Sequence, residues 1–282
     1  LIEILKYARE VELIPMLMTH GDQIRKNPEL LKTLMREGHL AEVSFHVDIT
    51  QRGRLGDAYK NAKTEAELMP LRKEFVELVR TIREETKLPL RVASTLTITP
   101  DNLNEVPDVL TFYMKNSDVF RLVSFLPIAQ VGRTLDGIGG GVTKEALWGK
   151  VAEGLYKQDT SSIDRVLNSR WWMGHPDCSQ FLMGFVRVDK TQPLRYYSVS
   201  MKSDELSKKV FGYFFKKFSG ITFRADSKLE SRFRAIGMFL SAPWLFIFQF
   251  PRLMIQTLKE MSPEPVLKQM YALFKGTLKY ER

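Results

Sequence analysis

His46 and Asp48 lie two residues apart in the stretch Glu42–Arg54, and Ser44 precedes them at the same spacing. On a strand, side chains two apart share a face. Ser44, His46 and Asp48 therefore make one polar face, and Val43, Phe45 and Val47 make the apolar one. A carboxylate beside an imidazole can orient the ring, or the two together can grip a ligand. A buried, hydrogen-bonded pair with no ligand fits the same spacing. The strand leaves through Thr50, Gln51 and Gly53, a polar turn. In barrels and open α/β sheets, ligands gather at such carboxyl ends of parallel strands. A half-buried edge strand with a solvated face is the other reading of the stretch alone.

The remaining reactive residues point less far. The four histidines are His20, His39, His46 and His175, and none stands at the H-x-x-x-H or H-E-x-x-H spacing of a helical zinc site. Cys178 is the single cysteine. With His175 three residues before it, a nucleophile is conceivable. A lone Cys is more often a small buried hydrophobe, and that reading is preferred. One cysteine excludes a disulfide framework and a multi-cysteine metal site within the chain. Gly137, Gly139, Gly140 and Gly141 lack the Lys-Ser/Thr that follows a phosphate loop, so Gly132–Val142 reads as a linker or lid. There is no G-x-S-x-G elbow for a serine hydrolase.

The elements that must position these residues alternate. Leu1–Glu10 has helical spacing, and Val11–Met18 reads as a strand running into the turn Thr19-His20-Gly21. Asn27-Pro28-Glu29 starts a helix, with Asn27 as cap, a buried stripe of Leu30, Leu31, Leu34 and Met35, and Gly38 as its end. The strand Leu40–Ile49 follows. Thr64–Lys87 is an amphipathic helix with Leu68, Leu71, Phe75, Leu78, Val79 and Ile82 on one face and Pro70 near its start. Leu88–Thr99 is a strand, Leu103–Asn116 a helix and Val119–Val131 a fourth strand. Strands separated by helices argue for a parallel α/β sheet. Four are too few to close a standard barrel. They form an open sheet or the later part of a barrel that begins upstream, and Leu1 in place of Met leads us to expect such an upstream part.

The second half changes character. Helices are expected over Thr143–Lys157, Ser162–Arg170 and Asp204–Phe218, and a strand over Phe181–Val188. Met201–Arg282 holds 15 Lys/Arg against 7 Asp/Glu, a surplus of +8 within a total of +9. Such a tail suits an anionic partner. Ala235–Pro251 carries no charge, and Arg234 and Arg252 flank it. Pro243 and Gln249 count against a clean span, so a buried helix or hairpin is the default. A segment lying on a membrane surface is the functional alternative. Phe211, Tyr213, Phe214, Phe215 and Phe218 among lysines could stack on bases, but no nucleic-acid module is present and nucleic acid ranks below membrane contact.

The order of strand-end motifs resembles the later part of a radical S-adenosylmethionine (radical SAM) barrel. The residues that carry the likeness are Met18-Thr19-His20-Gly21, Ser44-Phe45-His46-Val47-Asp48, Thr97-Ile98-Thr99-Pro100-Asp101-Asn102-Leu103 and Ser124-Phe125-Leu126-Pro127-Ile128-Ala129. The likeness covers about residues 1–135. It implies an α/β fold, the later part of a partial (β/α)6 barrel over 1–135, with an α-rich or α+β extension over 136–282 that covers the substrate. Val131-Gly132-Arg133-Thr134 and His175-Pro176-Asp177-Cys178 further resemble the branch that includes tetraether lipid synthases.

By that resemblance, the parent enzyme holds a four-iron, four-sulfur (4Fe-4S) cluster on a C-x3-C-x2-C loop and cleaves S-adenosylmethionine to a 5′-deoxyadenosyl radical. The loop and the Gly-Gly-Glu motif of the second strand are expected upstream of Leu1, so this chain supplies no metal ligand and is inactive alone. Ser44, His46 and Asp48 are expected against the methionine or ribose part of the cofactor, Thr97 and Asn102 against the ribose, and Pro127 and Ile128 at the adenine end. His20 departs from the family's usual Asn. The resemblance also implies a reductant such as ferredoxin or flavodoxin, an oxidoreductase or transferase reaction, and a cytoplasmic site, with membrane-surface contact as the alternative that the apolar segment and basic tail add. A lipid or isoprenoid substrate follows from the weaker likeness together with the apolar segment and basic tail. A degenerate, cluster-free barrel that binds a nucleotide-like ligand is the alternative.

Overall fold

The alternation of apolar runs and amphipathic helices folds as an α/β arrangement around a parallel sheet. The computed structural model of the chain describes residues 1–50, 58–128, 141–156, 167–168, 170–172, 175, 179–188, 194–198, 205–218, 228–261 and 265–271. Its described residues fall into two compact units. One takes in those of Leu1–Gln158 and Val188–Leu194, and the other those of Asp159–Arg187 and Arg195–Lys279.

The first unit holds four strands, β1 Met16–Thr19, β2 Glu42–His46, β3 Arg91–Ile98 and β4 Phe120–Pro127. Their order in the sheet is their order in the chain, and every neighbouring pair is parallel. Parallel pairs need crossovers, and helices supply them. α1 Ile2–Glu10 precedes β1, and α2 Asp22–Lys26 and α3 Pro28–Arg36 join β1 to β2. α4 Met69–Thr86 joins β2 to β3, and α5 Val106–Lys115 joins β3 to β4. α6 Lys144–Leu155 follows, its first turn capped by Thr143 Oγ1, which accepts from the Ala146 amide at 3.2 Å.

The strands are shorter than the apolar runs that announced them. Val11–Met18 becomes strand only from Met16, because the end of α1 wraps back: Leu13 N donates to Ala8 O at 2.8 Å and Glu12 takes a positive φ of 61°. Asn27 occupies the cap position of α3 without a side-chain capping bond, and Pro28 begins the helix as expected. Pro70 lies in the first turn of α4, where a missing N–H is tolerated.

Helices pack on one face of this sheet. Val43, Phe45, Val47, Val92, Leu96 and Ile98 are buried there. Phe45 stacks on Phe75 of α4 with ring centroids 4.4 Å apart, and Tyr113 of α5 meets Ser94 Oγ at 2.5 Å. Gly21, at φ +80°, sits where a Cβ would come within 2.5 Å of the Phe75 ring and 2.9 Å of Phe45. The opposite face is different. Met16, Met18, Leu122 and Leu126 alternate along the two outer strands and are exposed, whereas Glu42, Ser44, Ala93 and Thr95 on the inner strands between them are buried. Parallel sheets are ordinarily covered on both sides.

The second unit contains two small antiparallel pairs, β5 Trp171–Trp172 with β6 Gln180–Phe181 and β7 Gly184–Arg187 with β8 Arg195–Ser198. The single strand expected over Phe181–Val188 is thus divided between two pairings. α7 Glu205–Phe218, α8 Lys228–Ser241 and α9 Phe250–Met261 follow, with a π-helical turn Leu245–Gln249 leading into α9. Their core is Val210, Phe211, Phe218, Ala242, Leu245 and Leu253. Only part of the helix expected over Ser162–Arg170 is described, and residues 167–168 are helical. Ala235–Pro251 is not the buried helix or hairpin taken as its default. The chain bends by 95° between Arg232–Ser241 and Leu245–Lys259, around Pro243, which cannot continue the backbone bonds of α8. Among the described residues no single helix is long and apolar enough to cross a membrane.

Candidate functional site

The parallel register lays the polar side chains of the face opposite α4 and α5 in rows. Ser44 of β2 pairs with Met18 on one side and Ala93 on the other, and Ala93 pairs with Leu122. One step on, His46 pairs with Thr95 and Thr95 with Ser124. His20 continues that row on the β1 side, its ring 6.1 Å from the His46 ring. Next come Thr97 and Leu126, with Asp48 beyond the end of β2. A polar strip bordered by Met18, Leu122 and Leu126 therefore runs across the carboxyl ends of the strands.

Within the strip the hydrogen bonds are specific. Ser44 Oγ and Thr95 Oγ1 lie 3.0 Å apart. His46 Nε2 donates to Asp48 Oδ2 at 2.8 Å and lies 3.3 Å from Thr97 Oγ1. A carboxylate only accepts, so this bond places the imidazole proton on Nε2. Asp48 Oδ2 also accepts from the Thr97 amide at 2.7 Å, and Oδ1 accepts from Thr50 N at 2.8 Å and Thr50 Oγ1 at 2.6 Å. Burial pushes the Asp48 carboxyl up, but the bonds from His46, Thr50 and the Thr97 amide outweigh it and hold its pKa at about 2. Asp48 is thus a fixed anion at neutral pH and a poor proton acceptor there. The His46 side chain keeps 27% of its surface open, against none for Asp48.

Behind the strip stands a buried network absent from the sequence reading. The Arg72 guanidinium on α4 pairs with the Glu65 carboxylate. It also donates to Glu65 O and to Val47 O, each at 2.9 Å. Glu65 Oε1 accepts from Asn102 Nδ2 at 2.7 Å and from Ile49 N at 3.2 Å. Asn102 Nδ2 also donates to Thr97 O at 3.0 Å, while its Oδ1 accepts from Thr99 N at 2.8 Å. These bonds tie the exits of β2 and β3 to one another. A readable signal existed. Glu65 and Arg72 are seven residues apart, two helical turns, and Arg72 is four past Leu68 on the face that α4 buries.

Of the expected contact residues, Ser44, His46, Asp48 and Thr97 come together on the face opposite α4 and α5, where Ser44 and Asp48 are buried and His46 and Thr97 half-buried. Asn102 is fully buried, with its amide engaged by Glu65, Thr97 and Thr99. Alternation along β4 puts Ile128 with Leu126 on the face of Thr97, and Pro127, opposite Ile98, on the helix-covered face. His20, Thr95 and Ser124 join the strip without having been chosen as contacts. Gln51, Gly53, Ala129, Val131-Gly132-Arg133-Thr134, the glycines at 137, 139 and 140, and Pro176-Asp177-Cys178 lie outside the described residues. Among the described residues no group of three His, Cys, Asp or Glu side chains is placed to hold a metal.

No protein-family model, curated protein or solved structure matches the chain.

Four-iron clusters are held by several cysteine thiolates, and this chain has one cysteine. Its residues do not fit that group. What the strip can do is bind. It offers the half-buried hydroxyls of Thr97 and Ser124, the imidazole edge of His46 and apolar flanks, on a sheet whose exits are pinned from behind.

Proposed function

We propose that the chain is the later part of a radical SAM barrel and that the strand ends on the sheet face opposite its helices hold the nucleoside and amino-acid parts of S-adenosylmethionine. The observation that supports this reading most is the strip itself: a parallel sheet in sequential order, on one face of which the half-buried His46 and Thr97 stand beside the buried pair of Ser44 and Thr95, between exposed methionine and leucine flanks. The hydroxyls and imidazole suit the ribose and the amino-acid end. Met18, Leu126 and Ile128 suit the adenine and the methylene chain. Asn102, Glu65 and Arg72 act as positioning residues that hold Thr97 and Asp48 in place. The iron chemistry belongs to residues outside this stretch, in a longer parent, and the substrate and reductant belong with it.

The single cysteine favours a second reading, a cluster-free protein that keeps the same strip for a nucleotide-like ligand. Both readings predict binding by this chain. Calorimetric titration with S-adenosylmethionine and with S-adenosylhomocysteine is expected to give saturable heats, with affinity about tenfold weaker in His46→Ala and in Thr97→Val. Folded wild-type chain that takes up neither ligand overturns both readings. Anaerobic iron and sulfide reconstitution of the longer parent separates them, because only the enzyme forms 5′-deoxyadenosine.

A further inference from the structure

α8 carries an apolar stripe that stands apart from the core cluster of its own unit among the described residues. Leu229, Phe233, Ile236 and Leu240 recur at helical spacing and are exposed, at 62%, 63%, 52% and 69%. The residues of this helix and its end that meet the core cluster are Met238 and Ala242, on the other side of the helix. Past the bend, Ile247 and Phe248 are exposed as well, at 49% and 65%. A stripe this continuous, facing away from the core, is the mark of a surface that works against something else.

We infer that α8 and the bend at Pro243 dock the chain on an anionic lipid surface, lying in the plane of the interface. Charge selects this occupant. Arg232, Arg252 and Lys259 are exposed on the same bent helix pair, and Arg234 is exposed while paired to Glu230 at 2.6 Å. The wider region carries the +8 surplus, so the cations outnumber the acids where the apolar stripe is bare. Length selects the orientation. The stripe from Leu229 to Leu240 rises about 16 Å, roughly half a bilayer's hydrocarbon core, and the 95° bend keeps α9 from extending it. An apolar face of this size beds into the boundary between headgroups and acyl chains, with the basic side chains at the headgroups. Trp244, at the bend, has an amphipathic ring suited to that depth.

The inference does not depend on the ligand strip, and its test leaves that reading untouched. Full chain is floated with vesicles of phosphatidylcholine alone and of phosphatidylcholine with phosphatidylglycerol. Binding is expected to the anionic vesicles at about 0.05 M salt and to weaken several-fold at about 0.5 M. The double variant Phe233→Ser, Leu240→Ser is expected to lose about tenfold or more in partitioning. Both side chains are exposed, so circular dichroism should match the wild type. Arg252→Glu with Lys259→Glu tests the charge separately and is expected to weaken only the anionic binding. Absence of binding to anionic vesicles at low salt overturns the inference, as does equal binding to both vesicle types. Sedimentation equilibrium in which the wild type self-associates and the serine variant does not, without vesicle binding by either, assigns the stripe to a second copy and also overturns it.

Discussion

His46 Nε2 and Asp48 Oδ2 lie 2.8 Å apart at the end of β2, and the same Oδ2 takes the Thr97 amide of β3 at 2.7 Å. One buried carboxylate therefore orients the imidazole and staples two neighbouring strands. Its pKa of about 2 is below the ordinary carboxyl value, so its stabilisation is complete above about pH 4 and is lost as pH falls through about 2. The shift corresponds to about 2 kcal/mol at neutral pH. Asp48→Asn should lose about that much in urea unfolding at pH 7. Its unfolding free energy should also fall less than that of the wild type between pH 4 and pH 2.

Arg72 and Glu65 form an ion pair with both side chains out of solvent. Removing one charge strands the other, so Arg72→Met should cost about 3–5 kcal/mol. Glu65→Gln in the same chain neutralises the stranded charge and leaves an amide oxygen for Ile49 N or Asn102. The double variant should therefore be more stable than Arg72→Met alone in chemical denaturation.

Asn102 donates to Glu65 Oε1 at 2.7 Å, which makes Asn102→Asp more informative than a truncation. The substitution sets two carboxylates at hydrogen-bond distance, where one pKa must rise. Its stability should be lowest at neutral pH and recover relative to wild type as pH falls toward about 5, followed by thermal unfolding across pH. A constant deficit across that range would show that the two carboxylates do not meet.

Gly21 is held by φ +80° and by the Phe75 and Phe45 rings at once. Gly21→Ala should cost about 1 kcal/mol for the left-handed backbone and a further 1–3 kcal/mol for overpacking. Phe75→Leu in the same chain opens space for the methyl group. It should recover part of the second cost and none of the first, measured by urea unfolding.

The period-two pattern Val43, Phe45, Val47 announced the helix-covered face of β2, and Phe45 against Phe75 shows why: both sit at strongly buried positions of their own elements. The polar partners Ser44, His46 and Asp48 were legible for the same reason. The pairing of His46 with Thr95, and of Thr95 with Ser124, was not, because register is a property of two strands and their crossover. Asn102 looked like a ligand contact from its place after β3. Its role depends on Glu65, a residue 37 positions earlier, whose spacing to Arg72 is readable but whose bond to Asn102 arises when α4 folds back over β2. The apolar run Ala235–Pro251 was visible, but which side of α8 would meet the core was not.

Sequential strand order also bears on how the chain comes to be folded. Each strand of the sheet pairs with the one made just before it, so every pairing closes a loop of a single crossover. During synthesis β2 can dock on β1, and α4 can settle over Phe45, before β3 has emerged. The sheet can then lengthen sideways one strand at a time, with Asp48 waiting for the Thr97 amide as the clasp that closes β3 onto β2.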